Sequence, residues 1–265
     1  MGDRVQGKVA VLFGGGQTPG ETIGNGRATA LLLAKEGAHV LVVDRELESA
    51  EETARMARDE GGSASAFAAD ITSERDVAAA IEHCLHAHGR IDLLHNNVGA
   101  SLALGDATAT ELEADAFDRL YQVNLRGMWL ACKHALPAMQ KQGSGSIVNI
   151  SSMAAWEAYP YVGYKTTKAG VIALTQNIAM ANARYGVRAN VILPGLMNTP
   201  MAIEARVAAG TPREEVIAGR NARVPLGRKM GSAWDVAYAS LFLHSDEAKF
   251  ITGVSLPVDG GASVS

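Results

Sequence analysis

Short apolar runs recur along the chain, separated by longer stretches in which apolar residues return every three or four positions. The runs at 9–13, 39–43, 65–69, 91–95, 146–150, 187–193 and 254–257 predict seven strands. Most are dense in Val, Ile, Leu and Ala with no polar alternation, the pattern of strands buried on both faces. The stretches between them predict helices over 26–36, 47–60, 74–87, 114–142, 159–185 and 233–244. Strand and helix in regular alternation imply βαβ units around a parallel sheet, a doubly wound α/β fold with helices on both faces. Residues 196–231 break the rhythm with Pro200, Pro212 and Pro225 and scattered apolar positions. Because a strand follows, this stretch reads as a helical lid over a single domain spanning 1–265 rather than as a linker.

Composition narrows the function classes. A chain of 265 residues, 48% hydrophobic, has ample material for a core. Its formal charge of −4 offers no basic footprint for nucleic acid. Two cysteines, Cys84 and Cys132, do not make a disulfide framework and suit a reducing compartment. No long apolar segment precedes Val9 and no run is long enough for a membrane helix, so a cytoplasmic protein without a signal peptide is expected. His83, Cys84, His86 and His88 match no standard ligand spacing, and no metal is expected.

The candidate chemistry lies at strand ends. Between the first strand and the first helix come Gly14, Gly15, Gly16, Gly20, Gly24 and Gly26. Glycines there let backbone N–H groups approach a pyrophosphate at a helix N-terminus. Asp44 closes the second strand about 20 residues past the glycines, where a carboxylate can bond a ribose hydroxyl pair and repel a 2′-phosphate. NAD is therefore expected over NADP, with Arg45 beside it as the group that could still accept a phosphate. Asp70 closes the third strand and Asn96-Asn97-Val98-Gly99 the fourth, so these ends converge on one edge of the sheet. The run Tyr161-Val162-Gly163-Tyr164-Lys165-Thr166-Thr167-Lys168 holds Tyr-x-x-x-Lys twice. On a helix either pair shares a face, and an ammonium there can favour the phenolate for proton transfer.

Taken together these residues resemble the short-chain dehydrogenase/reductase family over about residues 7–261. Asn96-Asn97-Val98-Gly99 is similar to the family's Asn-Asn-Ala-Gly, Asn149-Ile150-Ser151-Ser152 to its serine segment, and Val258-Asp259-Gly260-Gly261 to its C-terminal ending. Pro194-Gly195 and Thr199-Pro200 resemble its cofactor-contacting run. The resemblance selects Tyr164 and Lys168, because the small residues Ala169-Gly170 follow Lys168. It implies Tyr164 as the proton acceptor and Ser152 as donor to the substrate oxygen, with Ser151 as the alternative. Lys168 would lower the Tyr164 pKa, and Asn124 would order a water on the relay. The implied cofactor contacts are Gly14, Gly16, Ile23, Gly24, Asn25, Gly26, Asp44, Arg45, Asp70, Ile71, Asn96, Asn97, Gly99, Tyr164, Lys168, Pro194, Gly195, Met197 and Thr199. Trp156, Tyr159 and Tyr161 either line the substrate pocket or pack beneath the lid; as pocket walls they are, with Leu196, the expected substrate contacts and imply an apolar or ring-bearing substrate.

One feature departs from the family. Nine residues separate Gly14 from Gly24, so 17–22 looks inserted, and a bulge folded over the adenosine is expected. The implied activity is NAD(H)-dependent hydride transfer between a secondary alcohol or ketone and nicotinamide. The alternatives are a 3-oxoacyl carrier-protein-type reductase, kept open by Arg206, Arg213, Arg220 and Arg223, and a nucleotide-sensing protein without turnover. By family analogy the chain is expected to form a homotetramer through its long helices and last strand.

Overall fold

The computed structural model describes residues 2–265. Seven strands form one all-parallel sheet in the order β3-β2-β1-β4-β5-β6-β7. They are β1 Val9–Phe13, β2 His39–Asp44, β3 Ser63–Ala68, β4 Leu93–Asn96, β5 Gly145–Ile150, β6 Val187–Pro194 and β7 Ser255–Val258. Residues along each strand alternate between the two faces. Val9, Val11 and Phe13 pack on one side, and Ala10 and Leu12 on the other. Helices α1 Asn25–Lys35, α2 Leu47–Asp59 and α9 Ala233–His244 cover the second side. The first is covered by α3 Glu74–His88, α5 Gly127–Gln142 and α6 Val162–Asn182. This is the doubly wound, Rossmann-like arrangement predicted from the strand pattern. From β1 the chain winds outward through β2 and β3, then crosses back to β4, which opens a crevice at the C-terminal ends of β1 and β4.

Two helices differ from their predicted form. The long helix expected over 114–142 is divided into α4 Ala114–Tyr121 and α5 by a wide turn at Gln122–Arg126, where the Gly127 N–H reaches back five residues to the Gln122 carbonyl. A Cβ on Gly127 would lie 2.5 Å from Ile71 Cγ1, so the helix can press against the end of β3 only at a glycine. Apolar periodicity does not reveal such a one-residue insertion, because the same face stays buried on either side of it. The helix expected from 159 begins at Val162, with Tyr161 in extended conformation before it.

Between β6 and β7 the chain makes the excursion expected from its prolines. It carries α7 Pro200–Ala208 and α8 Arg213–Asn221, joined over a small apolar cluster of Ile203, Val216, Val224 and Met230 with Leu196 packed against it. A parallel bridge between Met197 and Gly231 draws its two ends together.

Candidate active site

The doubled run decides itself at the start of α6. Three of the helix's first N–H groups, which have no acceptor within the helix, are satisfied by one loop. Val162 N–H donates to the Ala107 carbonyl at 3.0 Å, Gly163 N–H to Asp106 Oδ1 at 2.9 Å and Tyr164 N–H to Asp106 Oδ2 at 2.9 Å. Asp106 is only 5% exposed and also accepts from the Ser101 hydroxyl at 2.9 Å. A buried carboxylate at a helix N-terminus is stabilised by those donors and by the helix dipole. Sequence reasoning missed Asp106, because its partners lie 57 and 58 residues away and no local motif marks it.

This cap fixes the register. Tyr161 lies outside the helix, so Tyr161 and Lys165 do not share a helical face, whereas Tyr164 and Lys168 do. Lys165 Nζ donates to the carbonyls of Ala154, Ala155 and Glu157 at 3.1, 3.4 and 2.6 Å, tying down the loop that follows Ser152. Lys168 is 2% exposed, with Nζ 2.8 Å from the Ile150 carbonyl and 5.6 Å from the Tyr164 ring centre. The two serines separate as clearly. Ser151 is buried and its hydroxyl donates to the Lys168 carbonyl at 2.6 Å. Ser152 Oγ accepts from the Ala154 N–H at 3.1 Å, and the serine opposes the effect of burial on the Tyr164 phenol.

The electrostatics reverse one expectation. Burial pushes the Tyr164 phenol up to about 12, against the opposing pull of Ser152. Burial also brings Lys168 down to about 7. The expected ammonium-stabilised phenolate is therefore not what the protein alone holds, because removing both groups from water disfavours both charged forms. What stands in the site is a neutral phenol able to donate.

Asn124 sits in the wide turn between α4 and α5, fully buried. Its Oδ1 accepts from Ala100 N–H, and its Nδ2 donates to the Ala100 carbonyl, each at 2.8 Å, and to Thr167 Oγ1 at 3.2 Å. It thus clamps the loop after β4 to α6, a use of the side chain that the sequence reading did not foresee. In that loop a Cβ on Gly99 would lie 2.8 Å from Lys168 Nζ, so a side chain there would have to displace the ammonium.

The glycine end is equally crowded. Gly14 has φ +79°, and a Cβ on Gly26 would lie 1.9 Å from the Gly14 carbonyl oxygen. Asn97 Nδ2 donates to that carbonyl at 3.0 Å. Asp44 faces the loop, Oδ2 accepting from Gly16 N–H at 3.0 Å and Oδ1 from Glu46 N–H at 3.3 Å. Arg45 turns to solvent and pairs with Glu46 at 3.4 Å. Asp70 is exposed and accepts from the Thr72 N–H and hydroxyl, both at 2.8 Å, with Ile71 buried beside it. Asn96 does not join the group: its Nδ2 donates to Asn149 Oδ1 at 2.8 Å, inside the sheet. Ile23 packs against the apolar core under α1. Pro194 is buried at the end of β6, Gly195 abuts Asp259, and Met197 and Thr199 are buried at the entry to α7. The insertion is held at both ends: the Gln17 N–H donates to Ser49 Oγ of α2 at 2.8 Å. Gln17 bonds Gly24 N–H at 2.9 Å, and Glu21 pairs with Arg213 of α8 at 3.3 Å, so opposite charges draw the insertion onto the α7–α8 segment.

Of the expected substrate contacts, Trp156 is 50% exposed, while Tyr159 packs against both neighbours, 5.5 Å from the Tyr161 ring and 5.8 Å from the Tyr164 ring. Leu196 belongs to the apolar cluster beneath α7 and α8.

Tyr164, Ser152 and two lysines are thus gathered at the C-terminal edge of a doubly wound sheet, beside a glycine turn. The chain belongs to the short-chain dehydrogenase/reductase family of oxidoreductases. The family model described as "Enoyl-(Acyl carrier protein) reductase" matches residues 21–263. Among particular relatives, a cis-4-hydroxycyclohexanecarboxylate dehydrogenase of Sinomonas cyclohexanicum is 38% identical, over 98% of this chain and 98% of that one. A 2,5-dichloro-2,5-cyclohexadiene-1,4-diol dehydrogenase of Sphingobium indicum is 36% identical, over 100% and 99%. The crystal structure of a putative short-chain dehydrogenase/reductase from Burkholderia xenovorans superposes with a TM-score of 0.94 at 39% identity, covering 99% of each chain.

Proposed function

We propose that the whole chain is one catalytic domain that moves a hydride between a ring-bearing secondary alcohol or its ketone and NAD(H). The observation that carries this reading is the burial of Lys168 on the same face of α6 as Tyr164, with its Nζ 5.6 Å from the phenol ring centre. A nicotinamide dinucleotide fits the residues present. Helix geometry leaves the Asn25 and Gly26 amides without an intrahelical acceptor. Asn25 Oδ1 is buried without a partner among the described residues, and a Cβ on Gly26 would strike the Gly14 carbonyl, so the turn admits only glycine there. Asp44 favours NAD, since its carboxylate faces the glycine turn while Arg45 points away, paired with Glu46. When bound, the cofactor supplies the hydride donor or acceptor. Gly24 to Gly26 would hold its pyrophosphate, and Lys168 would hold its ribose hydroxyls.

The protein's own part is proton transfer and orientation. Ser152 donates to the substrate oxygen, where charge develops during reaction. Tyr164 gives its proton to a ketone oxygen, or takes one from an alcohol in the reverse direction. A phenol held near 12 is a donor at neutral pH, so reduction runs there and oxidation strengthens as pH rises. The α7–α8 segment serves as the lid, with Tyr159 and Trp156 as the apolar wall. The relatives named above for cyclic alcohols support a ring-bearing substrate. The carrier-protein alternative loses one of its four arginines, because Arg213 is already neutralised by Glu204 and Glu21. A homotetramer is supported by exposed Phe117, Tyr121 and Trp129 on α4 and α5 and by Tyr238, Phe250 and Val264 toward the C-terminus.

The test is NADH formation from a panel of cyclic, aryl and polyol alcohols, with NADP in parallel. Tyr164→Phe should keep NAD binding and lose turnover. Turnover intact in that variant would sink the assignment, and equal use of NADP would sink the choice of cofactor.

A further inference from the structure

The parallel sheet has two ends, and the catalytic residues use only the C-terminal one. At the N-terminal ends of β1, β4, β5 and β6 the chain leaves a cavity of about 460 Å³. Leu93 and Val187, the first residues of β4 and β6, line it and are each 1% exposed. Phe250 and Ile251 add an apolar wall. Strand β5 runs six residues from Gly145, at the cavity, to Ile150, so about 20 Å of sheet separates the cavity from Ser152.

The same cavity is lined by an arginine whose charge is not matched. Arg188 is partly buried and bonds only neutral oxygens. Its Nη1 donates to the Ile251 carbonyl at 3.2 Å, and its Nη2 to Ser146 Oγ and the Ser245 carbonyl, each at 3.3 Å. His244 Nδ1 lies 3.2 Å from the same Ser146 Oγ, so one buried hydroxyl fixes guanidinium and imidazole side by side. Burial holds His244 neutral. The two carboxylates lining the cavity are matched already: Asp92 takes two bonds from Arg90, at 2.9 and 2.6 Å, and Asp246 pairs with Lys8 at 3.3 Å. Asp246 also favours the Arg188 charge, but from beyond ion-pair distance. Arg188 and Lys249 form no ion pair among the described residues. A guanidinium drawn out of water onto neutral acceptors alone is costly unless an anion completes it.

We infer that this cavity is a second binding site, for a small organic carboxylate with an apolar body. A planar guanidinium matches a carboxylate through two parallel bonds, and Arg188 would supply them. Lys249 would add a second positive charge, and Leu93, Val187, Phe250 and Ile251 would cover the apolar part. No α-helix N-terminus, the usual seat of a phosphate, lies among the lining residues, which favours a carboxylate. A ligand held here touches neither the glycine turn nor Tyr164, so the site stands apart from the dehydrogenase reading.

The test compares an acid with its uncharged analogue. Hexanoate and hexanamide are titrated calorimetrically into the full-length protein. The acid should bind roughly tenfold or more tightly than the amide, the scale of one charge-assisted contact. Arg188→Met should erase that preference. Because Arg188 also fastens Ser146 and the segment 245–251, the exposed Lys249 gives a second reading that does not depend on the fold of the first variant. Lys249→Met should weaken the acid a few-fold and leave the amide unchanged. Ala183→Trp, at the exposed rim of the cavity, should weaken both ligands. Lys168→Met, at the other end of the sheet, should keep the preference. Equal affinity for acid and amide in the unaltered protein overturns the proposal, as does a preference that survives in both the Arg188 and Lys249 variants. A preference that disappears in Lys168→Met also overturns it, because the anion would then sit in the catalytic crevice.

Discussion

Helix α6 carries the same four-residue spacing twice, and the two copies have opposite fates. Tyr164 and Lys168 face inward, the lysine 2% exposed against the Ile150 carbonyl. Tyr161 stands outside the helix, and Lys165 spends its ammonium on three carbonyls of the loop after Ser152. One lysine is thus stripped of water beside a phenol, and the other is saturated with acceptors. A spacing rule cannot tell them apart, because both obey it. What separates them is where the helix starts, and that is set by Asp106 and Ala107 from a distant loop.

The largest test of this contrast is chemical. Tyr164→Phe should lower kcat by about 10²–10⁴, the usual worth of a positioned acid–base group, while Tyr161→Phe should stay within a few-fold. Comparable losses from the two, measured on the same alcohol, would erase the distinction. Next comes the cap. Asp106→Ala leaves two buried N–H groups and the Ser101 hydroxyl unpaired, and should cost about 2–3 kcal/mol of stability. Because Tyr164 is one of the capped residues, kcat should fall with it. Chemical denaturation and steady-state kinetics on the same sample check both; full activity in a destabilised variant would show that the cap does not position the phenol.

Lys165→Met should cost about 1–2 kcal/mol, the worth of charged hydrogen bonds at a partly exposed site. Its effect on kcat should pass through Ser152 and be smaller than that of Lys168→Met. The last test reads pH. Lys168 falls from an ordinary 10.5 to about 7 on folding. Between those values the unfolded chain binds the proton and the folded one does not, so stability rises with pH. The cofactor-free protein should therefore gain stability from about pH 7 toward 10.5, lose it again as pH falls from 10.5 to 7, and show no further effect of Lys168 below that. Lys168→Met should flatten that slope in denaturant midpoints, and Lys165→Met should leave it in place.

Much of this was legible in the residues. Strand β1 lies where its apolar run predicted, and the glycine turn, Asp44, Asn97, Ser152, Tyr164 and Lys168 do meet at one edge of the sheet. Other parts were hidden for identifiable reasons. The wide turn at Asn124 leaves helical periodicity unbroken on either side. Asn96 reads like its neighbour Asn97, yet strand alternation turns it into the sheet toward Asn149. The insertion before Gly24 was visible as an excess of residues, but its resting place against Arg213 depends on a helix almost two hundred positions later.

The order of apolar runs and the residues at their ends therefore sufficed for the doubly wound sheet and the family, since these depend on local pattern and on strand ends that topology must bring together. Three matters waited for the folded chain: which serine is free, where α6 begins, and where the insertion before Gly24 comes to rest. Each is a property of burial and of contacts between residues far apart in sequence. Solvation and long-range pairing, unlike periodicity, leave no mark on the residues that undergo them.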